Sequence, residues 1–392
     1  MARWVERRWP GDPGAMGGRK ARAAVTFRAF MPDLIADLKP VVDFAIAASI
    51  DTAEAAIAAL NDDDRVRGLE AVGPLLLRSE AIASSRIEGF DLSQRNLARA
   101  LVDPGSARGT ARVVAANVRA MERSIALGDA TDALTTTDIL EIHRTLMEHE
   151  PARLRPGAFR REQNWIGGRL QNPSDARFVP PPEDQVQPLM ADLLAFIARD
   201  DLPAVAQAAI AHAQFETIHP FLDGNGRVGR CLIHIVLRRR GVARTFVPPI
   251  SVVLAARPNQ YIAGLTTYRE GGVASWCASF AGACERAASV STDLAGQVAA
   301  LVETWRERAG RPRRDSAAAR IIPLLPAHPI ASAATIKVAI GTRHQRALEG
   351  LKVLAERGVI RQISPGDYDR QFAADELFDL IEAFEDQLAA AS

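Results

Sequence analysis

Cysteine is scarce in this chain, and its three copies, Cys231, Cys277 and Cys284, keep no metal-site spacing and make no even set for disulfides. A disulfide scaffold and a cysteine-ligated metal centre are therefore excluded, and a reducing, cytoplasmic home is expected. No apolar run reaches the roughly 18 residues a spanning helix needs, so no membrane partner is expected. A dominant charge sign is missing too: 48 Lys and Arg against 47 Asp and Glu leave +1, which gives the whole chain no field for a polyanion. Strict period-2 alternation is scarce. There is no internal repeat, no long low-complexity tract, no Walker sequence and no protein-kinase signature set. The first stretch, MARWVERRWPGDPGAMGGRK, is basic but broken by Pro and Gly before any apolar segment, and reads as a floppy leader rather than a signal peptide.

What is present is a soluble, mostly helical pattern. Hydrophobic residues make up 48% of the 392 positions and charged ones 24%, enough to bury two or three cores. Ala, Leu, Glu and Arg at 3.6 spacing mark helices throughout. TTTDILEIHRTLMEHE opens with a threonine cap and holds His143, read as a partly packed helix residue. Gly167 to Gln185 is turn-rich and returns through Phe178 and Val179, which predicts a short hairpin or flap. Two buried helices are expected at PAVAQAAIAHAQFETI and after Gly226, where Val228, Cys231, Leu232, Ile235 and Val236 share a face until Gly241. A boundary is placed in ETWRERAGRPRRDS, Glu303 to Ser316.

Between the two buried helices lies HPFLDGNGRVGR, His219 to Arg230. Pro220 keeps His219 out of the α region, so the histidine stands at the exit of its helix. Gly224 and Gly226 let backbone amides turn inward as a nest, and the N-terminus of the next helix adds its own unpaired amides. Arg227 and Arg230, three apart, aim two guanidinium forks at one group, which suits a polyphosphate. Asp223 would repel such a ligand unless a divalent cation lay between them, and Mg²⁺ commonly takes one carboxylate plus phosphate oxygens. The inferred ligand is a Mg-nucleotide, and His219, as a residue type that ordinarily titrates near neutrality, can take a proton from an incoming hydroxyl. Phosphoryl or nucleotidyl transfer follows.

This dodecapeptide resembles, at every defined position, the HPFx[DE]GNGRxxR motif of Fic-domain proteins. The resemblance implies a mainly α fold: a Fic helical core with a small β-hairpin flap, plus a C-terminal winged helix-turn-helix. It also implies transfer of AMP from ATP to a hydroxyl side chain of a protein substrate, or of the protein itself, with release of pyrophosphate. By that resemblance His219 is the general base, Asp223 holds Mg²⁺, Asn225 with the amides of Gly224 and Gly226 forms the anion hole, Arg227 and Arg230 steady the outer phosphates, and Phe221 anchors the loop. Residues 164 to 182 are similar to the flap that receives a target as an added strand, with Asn164, Trp165, Ile166, Gly167, Phe178 and Val179 as docking positions.

Upstream, SSRIEG places Glu88 at a helix C-terminus, against the macrodipole, with Gly89 as the stop. Ser84, Glu88 and Gly89 resemble the inhibitory sequence of Fic proteins, whose glutamate takes the fork that the γ-phosphate needs, here Arg230. From Arg311 to Arg361 ten basic residues face Asp315, Glu349 and Glu356, and three helices before a hairpin resemble a winged helix-turn-helix with Thr342 to Gly358 as its recognition helix. The expected division is 1–110 with the brake, 111–302 the Fic core, and 303–392 the winged helix and a last helix. AMP removal, transfer of another nucleotide group, and an ATP-sensing DNA-binding regulator stay open as rivals, as do DNA and a homodimer as partners.

Overall fold

A computed structural model describes residues 2–14, 18–62, 72–130, 133–168, 171–364 and 370–390. Besides a single helical turn at Arg19–Arg22, its helices are α1 (Phe44–Asp62), α2 (Val72–Ile87), α3 (Gln94–Val102), α4 (Thr110–Ala130), α5 (Thr136–Leu146), α6 (Val186–Ile197), α7 (Ala204–Ile218) and α8 (Asn225–Arg239). They continue with α9 (Ile250–Ala256), α10 (Pro258–Arg269), α11 (Val273–Arg308), α12 (Ala317–Ile321), α13 (Ala333–Ala339), α14 (His344–Glu356) and α15 (Asp375–Ala390). Strands β1 (Arg3–Trp9) and β2 (Val25–Met31) form one antiparallel sheet; β3 (Ile330–Ser332), β4 (Arg361–Gln362) and β5 (Gln371–Ala373) form another in the order β3-β5-β4. The expected mainly helical fold is what the chain adopts.

The N-terminal stretch departs from expectation. It is no floppy leader: Arg3–Trp9 pairs residue for residue with Val25–Met31. Val5 and Trp9 pack with Phe27, Ala29 and Val179 on one face, and Trp4 on the other sets its ring 5.2 Å from Phe30. The intervening arginines disguised a two-residue period as a charged tail. A second departure concerns α1, which is long and apolar enough by length and composition to cross a membrane, where the sequence reading found no such run. Asp51 and Glu54 sit within it.

Two compact units divide the chain. The first comprises Met1–Ile50, Arg123–Arg240 and Ile262–Phe280. At its centre every residue of α7 is buried, as an all-round run of alanines and branched residues requires. The small side chains let α8 approach closely: a Cβ on Gly229 would lie 2.4 Å from Glu216 Oε1 and 3.1 Å from the Phe215 ring. Two polar side chains in this core pair with nearby carbonyls. Gln207 donates to the carbonyls of Phe196, Ile197 and Arg199 at the end of α6, and Trp276 Nε1 donates to Ala209 O at 2.7 Å.

The second unit comprises Asp51–Glu122, Gly241–Tyr261 and Ala281–Ser392. Leu75 and Leu76 of α2, Trp305 of α11, Ile321, Leu351 and Ile381 share one core. Arg78, buried on α2, donates to the carbonyls of Pro326 and Ala327. The three helices expected after Ser316 are α12, α13 and α14, and β4 is the first strand of the expected hairpin, whose turn at Pro365 and Gly366 lies outside the described residues.

Candidate active site

α7 ends at His219, which takes the left-handed conformation, φ 51° and ψ 59°, with its N–H still donating to Phe215 O at 2.9 Å. A non-glycine residue there costs about 1–2 kcal/mol, so something must hold it. Arg160 does: its Nε donates to His219 O at 3.0 Å, its Nη1 to Glu162 O at 3.0 Å, its Nη2 to Pro181 O and Ile218 O, and its backbone N–H to Pro220 O. Asn164 adds Nδ2 to Phe221 O at 2.8 Å and, at 3.4 Å, to His219 O. The imidazole is mostly covered, with Nδ1 4.0 Å from Glu216 Oε2, one turn back on α7.

The loop then closes on itself. Phe221 is fully buried, and its N–H donates to Asn225 Oδ1 at 2.8 Å while Asn225 Nδ2 donates back to Phe221 O at 2.9 Å. The Asn225 carboxamide thus clasps the loop, and its backbone N–H is what it presents at the start of α8. Gly224 is the N-cap, φ 80°, and a Cβ there would meet Met147 Sδ at 3.1 Å and Leu146 at 3.3 Å. Glycine is required by both conformation and space. Gly226 is simply the second residue of α8.

Asp223 leaves its side chain 49% exposed at the mouth of the loop, with Oδ1 accepting from Gly224 N–H at 2.6 Å and lying 3.7 Å from Arg227 Nη2. Arg227 and Arg230 are both buried on α8, and Arg227 Nη2 also approaches Met147 Sδ at 3.9 Å. Among the described residues no cluster of three or more His, Cys, Asp or Glu could cage a metal unaided. A hard cation at the half-exposed Asp223 would need oxygens from a ligand and water, which is how Mg²⁺ is usually bound beside phosphates. The carboxylate, the amides at the head of α8 and the two arginines fit a Mg-nucleotide.

The flap is brought beside the loop. Ile166 and Phe178 form a single antiparallel bridge, and Gly167 takes φ 74° at the bend. Val179 O accepts from Phe30 N–H at 2.9 Å, so β2 lines that side, and Trp165 stands edge-on to Trp9 at 5.4 Å. The Arg269 guanidinium lies 3.8 Å over the Phe178 ring. Ser84, buried near the end of α2, and Glu88 and Gly89 just after it, both exposed, belong to the second unit; Gly89 has φ 85°.

Sequence reasoning missed two residues. Arg160 gave no signal, because an arginine in a Pro/Gly-rich turn looks solvated. His143, expected to be a partly packed helix residue, is fully buried and stacks on Phe221 at 3.7 Å and 8°. Its Nδ1 accepts from Gly157 N–H at 2.9 Å, and its Nε2 lies 3.1 Å from Asp223 O. Burial pushes its pKa down to about 4, with Arg227 and Arg144 adding to the shift against the Asp223 carbonyl. The threonine-capped helix that carries it forms as expected, with a capping box between Thr135 and Asp138.

Residues 133–237 match the sequence model of the Fic/DOC family. Among curated proteins, the chain is 31% identical over 185 residues to "Protein adenylyltransferase Fic" of Drosophila yakuba, covering 45% of this chain and 34% of the relative. It is 32% identical over 181 residues to the protein of the same name from Drosophila willistoni, covering 44% and 33%. The chain thus spans about a third of the length of the curated relatives it matches. A Fic family protein from Desulfovibrio desulfuricans has a similar fold, with TM-score 0.51 at 24% identity over 86% of this chain and 98% of its own. So does a Fic domain containing signaling protein from Bacteroides thetaiotaomicron, with TM-score 0.51 at 20% identity over 64% and 97%.

Proposed function

With residues 133–237 a Fic domain, we propose that the protein transfers AMP from Mg-ATP to a hydroxyl side chain of a protein target or of itself. The observation that carries this reading is the loop: a histidine held at a helix exit, a half-exposed carboxylate, and a helix N-terminus with two buried arginines, all within twelve residues. His219 takes the proton of the acceptor hydroxyl. The freed oxygen bonds to the α-phosphorus, the bond from that phosphorus to its bridging oxygen breaks, and pyrophosphate leaves. Asp223 would hold Mg²⁺, which would supply charge neutralisation for the phosphates. The amides of Gly224, Asn225 and Gly226 with Arg227 and Arg230 hold the phosphates so that the α-phosphorus faces the hydroxyl. The flap from Asn164 to Val179 receives the target backbone as an added strand.

A brake belongs to this reading: Glu88, following α2, competes with the γ-phosphate for the fork of Arg230, with Ser84 and Gly89 shaping the helix end. Roles then divide as 1–110 for the brake, 111–302 for the Fic core and 303–392 for a winged helix-turn-helix. Incubating the purified protein with α-labelled ATP and Mg²⁺ tests both parts. Glu88→Gly should raise self-labelling several-fold and His219→Ala should abolish it; equal labelling in all three forms refutes the reading. Release of AMP from a labelled target without labelling by ATP would favour the reverse reaction instead.

A second reading is a DNA-binding regulator whose Fic domain senses ATP. Its support is a basic surface around the start of α14. Arg343, His344, Gln345 and Arg346 are exposed there, Arg346 donates to Asp315 O and Arg320 to Ile340 O, and exposed Arg313, Arg314 and Lys337 lie on the adjoining segments. A helix presenting its N-terminus in this way matches major-groove docking. Binding of random-sequence duplex DNA that weakens steeply with salt and falls in Arg343→Ala, with no labelling by wild type or Glu88→Gly, would select this reading.

A further inference from the structure

His143 has no task in the proposed reaction, yet three segments converge on its ring. Its face lies on Phe221, Gly157 reaches Nδ1, and Nε2 meets the Asp223 carbonyl. A backbone amide can only donate, so Nδ1 is the lone-pair nitrogen. The hydrogen is therefore on Nε2, which donates to Asp223 O. One neutral tautomer satisfies both neighbours, and it ties α5 and the turn at Gly157 to the peptide of the residue whose carboxylate stands at the mouth of the loop.

We infer that His143 is a positioning residue for the Asp223 carboxylate, fixing the peptide from which the metal ligand projects. This rests on the reading of Asp223 as the Mg²⁺ ligand. The geometry favours orientation over mere packing. A ring needed only for its bulk would leave the Asp223 carbonyl and the Gly157 amide to other partners, whereas here both are served by one side chain buried at 0% exposure. Asp223 Oδ1 is held in turn by the next amide, Gly224 N–H, so the carboxylate inherits whatever direction the Asp223 peptide is given. The contact is remote in sequence, 80 positions, and links the first helix of the matched segment to its phosphate-binding end.

Two variants separate hydrogen bonding from stacking. His143→Phe keeps a flat ring over Phe221 and loses both hydrogen bonds. His143→Gln loses the ring but offers an oxygen to Gly157 N–H and an N–H to Asp223 O. The 392-residue wild-type chain and both variants are titrated with Mn²⁺ in the presence of ADP, and bound metal is read by electron paramagnetic resonance. The Mg²⁺ dependence of self-labelling is measured alongside in the Glu88→Gly background. The expected result is a metal constant at least tenfold weaker in His143→Phe, within threefold of wild type in His143→Gln, and a KM for ATP at saturating Mg²⁺ within threefold in both. Equal weakening in the two variants, or none in His143→Phe, overturns the inference. If His143→Phe fails to fold, His143→Gln decides alone: a normal metal constant supports the inference and a tenfold loss ends it. If wild type itself retains no Mn²⁺, the assignment of Asp223 falls, and this role for His143 falls with it.

Discussion

Replacing Arg160 with methionine keeps the length of the side chain and removes every donor. Arg160 is 2% exposed, and its guanidinium serves four carbonyls, those of His219, Ile218, Glu162 and Pro181. Hydrogen bonds from a charged donor contribute roughly 1.5–3 kcal/mol each, with the 3.4 Å contact to Ile218 O at the low end. Against this stands burial, which pushes the Arg160 pKa down to about 10 from the ordinary arginine range and so costs roughly 3 kcal/mol for keeping the charge in place. The bonds win. Arg160→Met should destabilise the unit that holds the loop by about 3–5 kcal/mol, because the carbonyls stay buried after their partner has gone. It should also let His219 relax from its left-handed conformation, which costs about 1–2 kcal/mol to maintain. Arg160→Lys, with its charge but no fork, should recover about half of the stability and little of the activity. Urea unfolding read by tryptophan fluorescence suits the first expectation, since Trp4, Trp9, Trp165 and Trp276 all lie in this unit. Self-labelling with α-labelled ATP reads the second. An unfolding free energy within about 0.5 kcal/mol of wild type, the range of an inconsequential surface change, would show that the loop is held by something else.

Further expectations concern the same loop. Gly224→Ala forces a side chain into φ 80° and within 3.1 Å of Met147 Sδ. It should cost about 2–4 kcal/mol and labelling should drop at least tenfold, whereas wild-type labelling would show that the tight turn is dispensable. His143 links stability to pH. Its folded pKa of about 4 lies below the ordinary 6.5, so between those values the unfolded chain binds the extra proton. The contribution is complete above pH 6.5 and fades as pH falls toward 4, by up to about 3 kcal/mol. The stability difference between wild type and His143→Gln should therefore change between pH 7 and pH 4.5, and a constant difference would contradict the neutral buried ring. Asn172, fully buried, ties the flap to the carbonyls of Lys20 and Ala21. Asn172→Ala should speed amide exchange across residues 164–180 while leaving α7 protected, and unchanged exchange would mean the helical turn at Arg19–Arg22 does not brace the flap.

What could be read in the sequence, and what could not, follows from how the site is built. The groups at its mouth come from one loop and the first turns of α8, so chain connectivity bunches them and spacing alone exposes them. The groups that hold that loop come from elsewhere: His143 reaches Asp223 across 80 positions, Arg160 reaches His219 across 59, and Asn164 reaches Phe221 across 57. A hydrogen bond to a distant carbonyl leaves no period in either partner's neighbourhood, so nothing marks Arg160 as buried until the fold is seen. β1 failed to declare itself for a related reason, since its pairing partner lies beyond a Pro/Gly-rich segment and Arg3 and Arg7 share the face of Val5 and Trp9, which breaks the apolar alternation. Asn225 was visible in the motif, but its side chain spends both polar ends on Phe221. Substituting Asn225 thus perturbs loop closure before it perturbs any phosphate contact. Arg160, His143 and Asn225 each act on backbone groups of the loop, so a loss of activity at any one of them is interpretable only beside a measurement of loop stability. That ordering separates holding the loop from using it: a variant that weakens labelling without moving the unfolding free energy touches the chemistry, and one that moves both touches the frame.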